Sequence, residues 1–109
     1  MAYPNIGTVE IASACAWTGA TPPVVTKQVN TVGVVRTAEG IWVVTIGEPI
    51  DFLHRWAVPV LNDAAWGTVQ LNPAVQTDTT IGLLSFDTVG AIVAGDTDQE
   101  LIVYRAIIL

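Results

Sequence analysis

The sequence predicts a single-domain, all-β fold, an antiparallel β-sandwich with a jelly-roll-like arrangement of strands. Val, Ile and Thr together make up over a third of the 109 residues, and these β-branched side chains pack better on pleated sheets than in helices. Short runs of them alternate with Gly, Pro, Asn and Asp at intervals of roughly 8–12 residues, the spacing of a sandwich or barrel. The chain is 51% hydrophobic and 13% charged, which excludes intrinsic disorder, and its length fits one domain.

Nine segments have the composition of strands, and turn residues separate them. In chain order, the predicted strands are 6–14, 24–30, 33–37, 41–46, 55–61, 68–71, 80–87, 91–93 and 101–108. Pro22-Pro23 breaks the chain after the first strand, Gly47-Glu48-Pro49 breaks it after the fourth, and the turn Gly95-Asp96-Thr97-Asp98 precedes the last. Only 49–56 and 62–66 could hold a helical turn, and both are too short for a stable helix.

The segment 33–46 has the pattern of a β-hairpin. Two β-rich runs, one ending at Thr37 and the other beginning at Ile41, flank Ala38-Glu39-Gly40. Gly40 can take the positive φ that a hairpin loop of three to five residues requires. We therefore expect the third and fourth strands to pair across this turn.

Two of the predicted strands are apolar on both faces, although a two-layer sandwich buries only one face of each sheet. In 41–46 the alternate positions are Ile41, Val43 and Thr45 on one face, and Trp42, Val44 and Ile46 on the other. The last strand likewise carries Leu101, Val103, Arg105, Ile107 and Leu109 opposite Ile102, Tyr104, Ala106 and Ile108. Exposed apolar strands favour aggregation, so we expect a loop or another subunit to cover the second face.

Charge and cysteine usage narrow the classes of function. Ten acidic residues outweigh three Arg and one Lys, giving a net charge of −6, and no stretch clusters the basic residues. This excludes nucleic-acid binding and weakens the case for an anionic membrane surface. No run approaches the ~18–20 apolar residues of a membrane span. The only cysteine, Cys15, cannot form an intramolecular disulfide and is expected to be a small buried hydrophobe.

Catalysis has one weak candidate in the sequence. His54 is the only histidine and Asp51 lies three residues before it, so a small hydrolase would need Ser13, Ser85 or a threonine to complete a triad. No nucleophile elbow or phosphate-binding loop supports this alternative. One His and one Cys are also too few for a structural zinc site. We expect no catalytic residues, no metal and no cofactor.

An acidic turn before the last strand allows a second interpretation. Asp96, Asp98 and Glu100 alternate after Gly95, and oxygen ligands spaced in this way could contribute to a Ca²⁺ site, which takes 6–8 oxygens. The central Gly and distal bidentate Glu of a calcium loop are absent. A solvated turn that protects a strand edge is the simpler interpretation, and calcium stays open.

Four tryptophans are many for a chain of this length. Trp42 and Trp56 lie in predicted strands, as core or interface anchors, because indole buries a large area at low entropic cost. Trp17 and Trp66 fall in predicted loops beside glycines. Exposed loop tryptophans can stack on sugars, so a carbohydrate-binding module is an alternative to an interface role.

The predicted hairpin and the segments after it resemble a family of proteins. Residues 34–46, followed by Glu48-Pro49-Ile50, follow the pattern V-x-R-x-x-x-G-x-[aromatic]-x-V-x-[apolar] and then a Pro-apolar step. This resembles small β-domains of tailed-phage virion proteins, namely capsid decoration proteins and tail-fibre tips. Residues 56–61 and 101–105 are similar to the later strands of such domains. Trp42 stands where Tyr is more usual, and the absence of a fibre stalk favours a free-standing accessory subunit.

The resemblance implies a non-enzymatic virion structural protein, a capsid decoration or cement subunit. Such a subunit would form a homo-oligomer, expected to be a trimer, and would bind the major capsid protein or another virion protein. Its location would be the virion, after assembly in the host's bacterial cytoplasm. The alternative is a tail-fibre-tip or lectin-like module that binds glycans through Trp17 and Trp66. The expected interface residues are Trp17, Trp42, Trp66, Ile107, Ile108 and Leu109, with residues 1–7 as a docking arm.

Overall fold

The computed structural model describes residues 6–20, 22–62, 68–86 and 98–108. Its eight strands are β1 (Ile6–Trp17), β2 (Val25–Val29), β3 (Thr31–Ala38), β4 (Ile41–Ile46), β5 (Arg55–Leu61), β6 (Thr68–Gln76), β7 (Thr80–Phe86) and β8 (Gln99–Ile108). They form two four-stranded antiparallel sheets. Sheet 1 has the order β2-β1-β8-β5, and sheet 2 has the order β3-β4-β7-β6. The predicted all-β sandwich is confirmed.

The predicted strands coincide with observed ones, with differences at their ends. The first strand continues to Trp17 because its last residues enter the core. The sixth continues to Gln76 through Pro73, which an edge strand tolerates. A short 3₁₀ turn spans Phe52–His54 within one of the two segments considered for a helical turn. The predicted strand 91–93 lies outside the described residues.

The core fills the space between the two sheets. Its members are Ala12, Cys15 and Trp17 of β1, Leu101 and Val103 of β8, Trp42, Val44 and Ile46 of β4, Ile81 and Leu83 of β7, and Ile50. The alternation in β4 matches this packing, because Trp42, Val44 and Ile46 are buried while their neighbours are partly exposed. The prediction that Cys15 is a buried hydrophobe is confirmed.

The strand order shares with a jelly roll its two four-stranded sheets. It differs from a jelly roll in that three hairpins, β1–β2, β3–β4 and β6–β7, each remain within one sheet. The β3–β4 hairpin turns at Gly40, which has a φ of 73°, and Val34 pairs with Val44 across it. The predicted hairpin therefore forms.

A tight corner joins the two sheets where β2 meets β3. Asn30 adopts a φ of 48° there, and its side-chain amide donates to the carbonyl of Ala12 at 2.9 Å. The backbone N–H of Gly47 donates to the carbonyl of Asn30 at 2.7 Å, and a Cβ at Gly47 would collide with the Asn30 side chain. These contacts hold the β4 end against the β2–β3 corner. In the described part of the chain, no helix is long and apolar enough to cross a membrane.

Candidate interaction surface

The side of sheet 1 that points away from the core carries apolar side chains on each of its four strands. We call it the outer face of sheet 1. Its residues are Val9, Ile11, Ala14 and Ala16 of β1, Lys27 and Val29 of β2, Trp56, Val58 and Val60 of β5, and Glu100, Ile102, Tyr104 and Ala106 of β8. The strand register places these side chains on one surface, because directly paired residues in an antiparallel sheet point to the same side.

Two rows of paired side chains run across the centre of this face. One row is Trp56–Tyr104–Ile11, and the next is Val58–Ile102–Ala14–Val29. The first row is bulky, whereas the second has a small residue on β1. The two charged residues of the face, Lys27 and Glu100, both pair with Ala16 in a third row toward one end. The centre of the face is therefore uncharged and uneven in height.

Six large side chains of the outer face are substantially exposed. Val9, Ile11, Val29, Trp56, Val58 and Val60 have between 36% and 60% of their surface accessible to water. Single exposed apolar residues are common on proteins, but a contiguous patch indicates an interaction site. These six residues share one sheet surface, which makes the outer face of sheet 1 the candidate functional site.

The opposite side of the molecule is different. The surface of sheet 2 that points away from the core carries Thr45, Thr80, Gln70 and Thr68, along with partly buried Ile41, Val43 and Leu84. Asn72 and Val75 of β6 lie over Gly82 of β7 and cover part of this surface. Two valines of the edge strand β3, Val32 and Val35, are also strongly exposed, whereas sheet 1 has six such hydrophobic residues on one face. The apolar surface is thus concentrated on sheet 1.

Two of the predicted interface residues are buried inside the chain instead. Trp17 and Trp42 are 1% and 0% exposed, so the expectation that they anchor an interface is wrong. Trp17 ends β1, and both tryptophans belong to the core between the sheets. Among the described residues, neither indole N–H has a hydrogen-bond partner.

The remaining predicted interface residues are placed only in part. Ile107 is 36% exposed near the end of β8. The side chain of Ile108, together with Trp66, Leu109 and the arm residues 1–5, lies outside the described residues.

The exposed residues of β1 and β5 were missed, although a signal for β5 was present. Trp56, Val58 and Val60 alternate with Ala57, Pro59 and Leu61, so both faces of this strand are apolar in sequence. That is the same pattern that identified β8. In β1, the register shifts between Ile11 and Ser13, and this irregularity obscures a simple alternation.

The candidate catalytic pair forms, but the candidate serines lie elsewhere. Asp51 accepts a hydrogen bond from the backbone N–H of Leu53 at 3.0 Å, and its other carboxylate oxygen lies 3.1 Å from Nδ1 of His54. The hollow beside His54 is lined by Pro49, Ile50, Arg105 and Ala106, and no hydroxyl group is among its described lining residues. Ser13 and Ser85 are both buried in the sandwich. Asp51 therefore acts as the cap of the 3₁₀ turn.

Arg105 links sheet 1 to the loop after β4. Its Nε donates to Glu10 at 2.7 Å and its Nη1 donates to Glu48 at 2.8 Å. Glu48 also accepts from the side chain of Asn30 at 3.1 Å. This exposed network lies at one margin of the sandwich and stabilises the corner there.

The acidic turn is placed only in part. Asp98 accepts a hydrogen bond from the backbone N–H of Gly19 at 2.7 Å, so its carboxylate ties the end of β1 to the start of β8. Glu100 lies on the outer face of sheet 1, and Asp96 is outside the described residues. Within the described ranges, no three His, Cys, Asp or Glu residues are grouped to hold a metal ion.

Comparisons with protein-family models, with curated proteins and with solved structures each found no match.

Proposed function

We propose that this chain is a non-enzymatic structural subunit that self-associates through the outer face of sheet 1. The observation that supports the proposal is the contiguous set of six exposed large hydrophobic residues on this face. An uncharged, contiguous apolar centre flanked by a few charges at one end has the composition of the core of a protein–protein interface. Trp56 and Tyr104 lie side by side near its middle, and such aromatic residues commonly dominate binding energy.

Removing this face from water supplies a large part of the free energy that association requires. Fully burying one aliphatic or aromatic side chain contributes about 1.5–3 kcal/mol, so the exposed half of six such side chains contributes roughly 5–9 kcal/mol. Association costs about 4–15 kcal/mol in lost freedom. The face therefore supports association when further contacts, such as those of Ile102 and Tyr104, are added.

The specific proposal is that the subunit is a capsid decoration or cement protein of a tailed phage. In this role the oligomer, a trimer, binds the major capsid protein and stabilises the shell, after assembly in the bacterial cytoplasm. Support comes from the resemblance of the β3–β4 hairpin and of residues 56–61 and 101–105 to such proteins. The glycan-binding alternative is weakened by the burial of Trp17, which removes one of its two tryptophans from the surface.

A matched pair of substitutions tests self-association. Val58→Lys puts a charge in the centre of the outer face of sheet 1, and Val35→Lys makes the same change on an exposed strand position of sheet 2. We expect light scattering to give a multiple of the 11.5 kDa chain mass for the unaltered protein, about threefold for a trimer. Val58→Lys should reduce this mass to that of the single chain, while Val35→Lys should leave it unchanged.

Two results would contradict the proposed surface. An unaltered protein that stays a single chain at high concentration would refute self-association. Dissociation by Val35→Lys, but not by Val58→Lys, would place the interface on sheet 2.

The virion role has a separate test. The protein should co-sediment at saturating stoichiometry with shells assembled from the major capsid protein of the same genome. Failure to co-sediment would refute the capsid role and leave self-association standing.

A further inference from the structure

A groove opens between the edge strands β5 and β6, on the side of the sandwich away from β2 and β3. Its walls are Ala57, Leu71 and Pro73, and its polar residues are Arg55 and Gln76. Its volume is about 280 Å³. The groove lies between the sheets at their margin, separate from the outer face of sheet 1.

Arg55 is a largely buried cation that makes three long hydrogen bonds to neutral acceptors. Only 9% of its surface is exposed. Its guanidinium donates to the carbonyls of Ile50 and Thr80 at 3.4 and 3.3 Å and to the Gln76 side-chain oxygen at 3.4 Å. These distances are longer than the usual 2.7–3.2 Å of N–H···O bonds, and all three acceptors are neutral.

The electrostatics of the groove agree with this geometry. Burial lowers the pKa of Arg55 more than the nearby charge of Asp78 raises it. Gln76 is already engaged as a donor, to the carbonyls of Asn72 at 2.9 Å and Gly82 at 3.2 Å, so its amide is held in place. Asp78 supplies a negative charge nearby, but the hydrogen bonds from the guanidinium to its three neutral acceptors are long. A largely buried guanidinium with such long hydrogen bonds favours an anion that can accept shorter ones.

We propose that the β5–β6 groove binds a carboxylate carried on a short aliphatic stem, with Arg55 as its cationic partner. The carboxylate matches the planar guanidinium, and the stem matches the apolar walls of Ala57, Leu71 and Pro73. A groove of this volume is smaller than the ~300–1,000 Å³ of drug-sized ligand pockets. The ligand is therefore a group of a few carbon atoms, either a free short-chain acid or a glutamate side chain. This site does not depend on self-association.

The test uses butyrate as the probe and n-butanol as its uncharged counterpart, at constant ionic strength. We expect butyrate to shift the backbone amide resonances of Ala57, Leu71 and Gln76 saturably in the millimolar range, and butanol to leave them in place. N-acetylglutamate amide distinguishes the two sources of the carboxylate. Tighter binding than butyrate identifies a glutamate side chain, and weaker binding identifies a free acid.

Two arginine substitutions complete the test. Arg55→Gln should weaken butyrate binding roughly tenfold to a hundredfold, as expected for a lost charged hydrogen bond. Arg36→Gln is the matched control, because Arg36 lines an apolar groove of similar volume beside Pro22 and Pro23. The proposal is overturned if butyrate gives no saturable shift, if butanol gives the same shift, or if Arg36→Gln weakens binding as much as Arg55→Gln. The butyrate–butanol comparison needs no variant, so it holds even if Arg55→Gln does not fold.

Discussion

Adding one methyl group at Gly82 or at Gly33 tests how Asn72 and Val75 of β6 pack over Gly82 of the neighbouring strand β7. A Cβ at Gly82 would lie 2.7 Å from the Cβ of Val75 and 3.1 Å from both the Cβ of Asn72 and the carbonyl oxygen of Val75. The first distance is much shorter than the van der Waals contact distance. Two of the three atoms are Cβ atoms, which cannot move away by a change of side-chain rotamer. A Cβ at Gly33 would meet no atom within 4 Å. The two glycines lie in the same sheet, so they form a matched pair.

The expected magnitudes follow from these distances. Inserting a methyl group into a well-packed site costs about 1–3 kcal/mol, so Gly82→Ala should lower the free energy of unfolding by that amount. At Gly33 the methyl group has space, and replacing a strand glycine by alanine gains about 0.5–1 kcal/mol through the lower entropy of the unfolded chain. The two variants should therefore differ by roughly 1.5–4 kcal/mol, with opposite signs.

Urea denaturation followed by tryptophan fluorescence provides the assay, because Trp17 and Trp42 are buried in the core. All variants are compared at one protein concentration, since association makes apparent stability depend on concentration. An unchanged urea slope would show that the variants alter stability rather than the extent of unfolding. Equal stabilities for the two variants would refute the packing of Asn72 and Val75 over Gly82.

Two further predictions concern buried polar groups. Ser13→Ala removes a hydrogen bond between the hydroxyl groups of Ser13 and Thr31, whose Oγ and Oγ1 atoms lie 2.9 Å apart. This substitution should lower the free energy of unfolding by about 1 kcal/mol. Ser85→Ala should be neutral or stabilising in the same urea assay, since the Ser85 hydroxyl has no partner among the described residues. Equal decreases in the free energy of unfolding for Ser13→Ala and Ser85→Ala would refute this difference. Burial raises the pKa of the Cys15 thiol from 9.0 to about 11, so ionisation favours the unfolded chain as pH rises from about 9 to 11. The free energy of unfolding of the unaltered protein should fall over that range, and that of Cys15→Ala should fall less. An identical decrease in the two proteins would contradict the prediction.

The strands were predictable because their signals are local. β4 alternates buried and partly exposed residues as its sequence indicates, and Gly40 provides the positive φ that its hairpin needs. The ends of β1 and β6 were not predictable in the same way. β1 reaches Trp17 because the core accepts it, and β6 passes through Pro73 because none of the described strands pairs on that edge. Both conditions depend on neighbours distant in sequence.

The sequence predicted that an apolar strand face would need covering, but it did not identify the residues of that face. The apolar faces of β8 indicated that a second surface must be covered, and the structure has such a surface on sheet 1. The prediction that Trp17 and Trp42 anchor this surface is wrong, because a tryptophan suits a core as well as an interface. Trp42 lies in the core and Trp56 lies on the outer face, although both occupy strands rich in Val. Only the packing of the sheets separates these two cases.

Composition, alternation and turn residues by themselves determined that this chain forms a β-sandwich with more apolar surface than its own core can bury. Each of those signals involves residues close together in the chain, and each is strong. Tertiary structure alone decided that the outer face of sheet 1 remains exposed, that Trp17 and Trp42 are enclosed, and that Arg55 lines a groove between β5 and β6. The physical reason is that the two faces of such a strand are equally apolar in sequence. A strand with two apolar faces can bury either one, and the choice depends on which sheet packs against it.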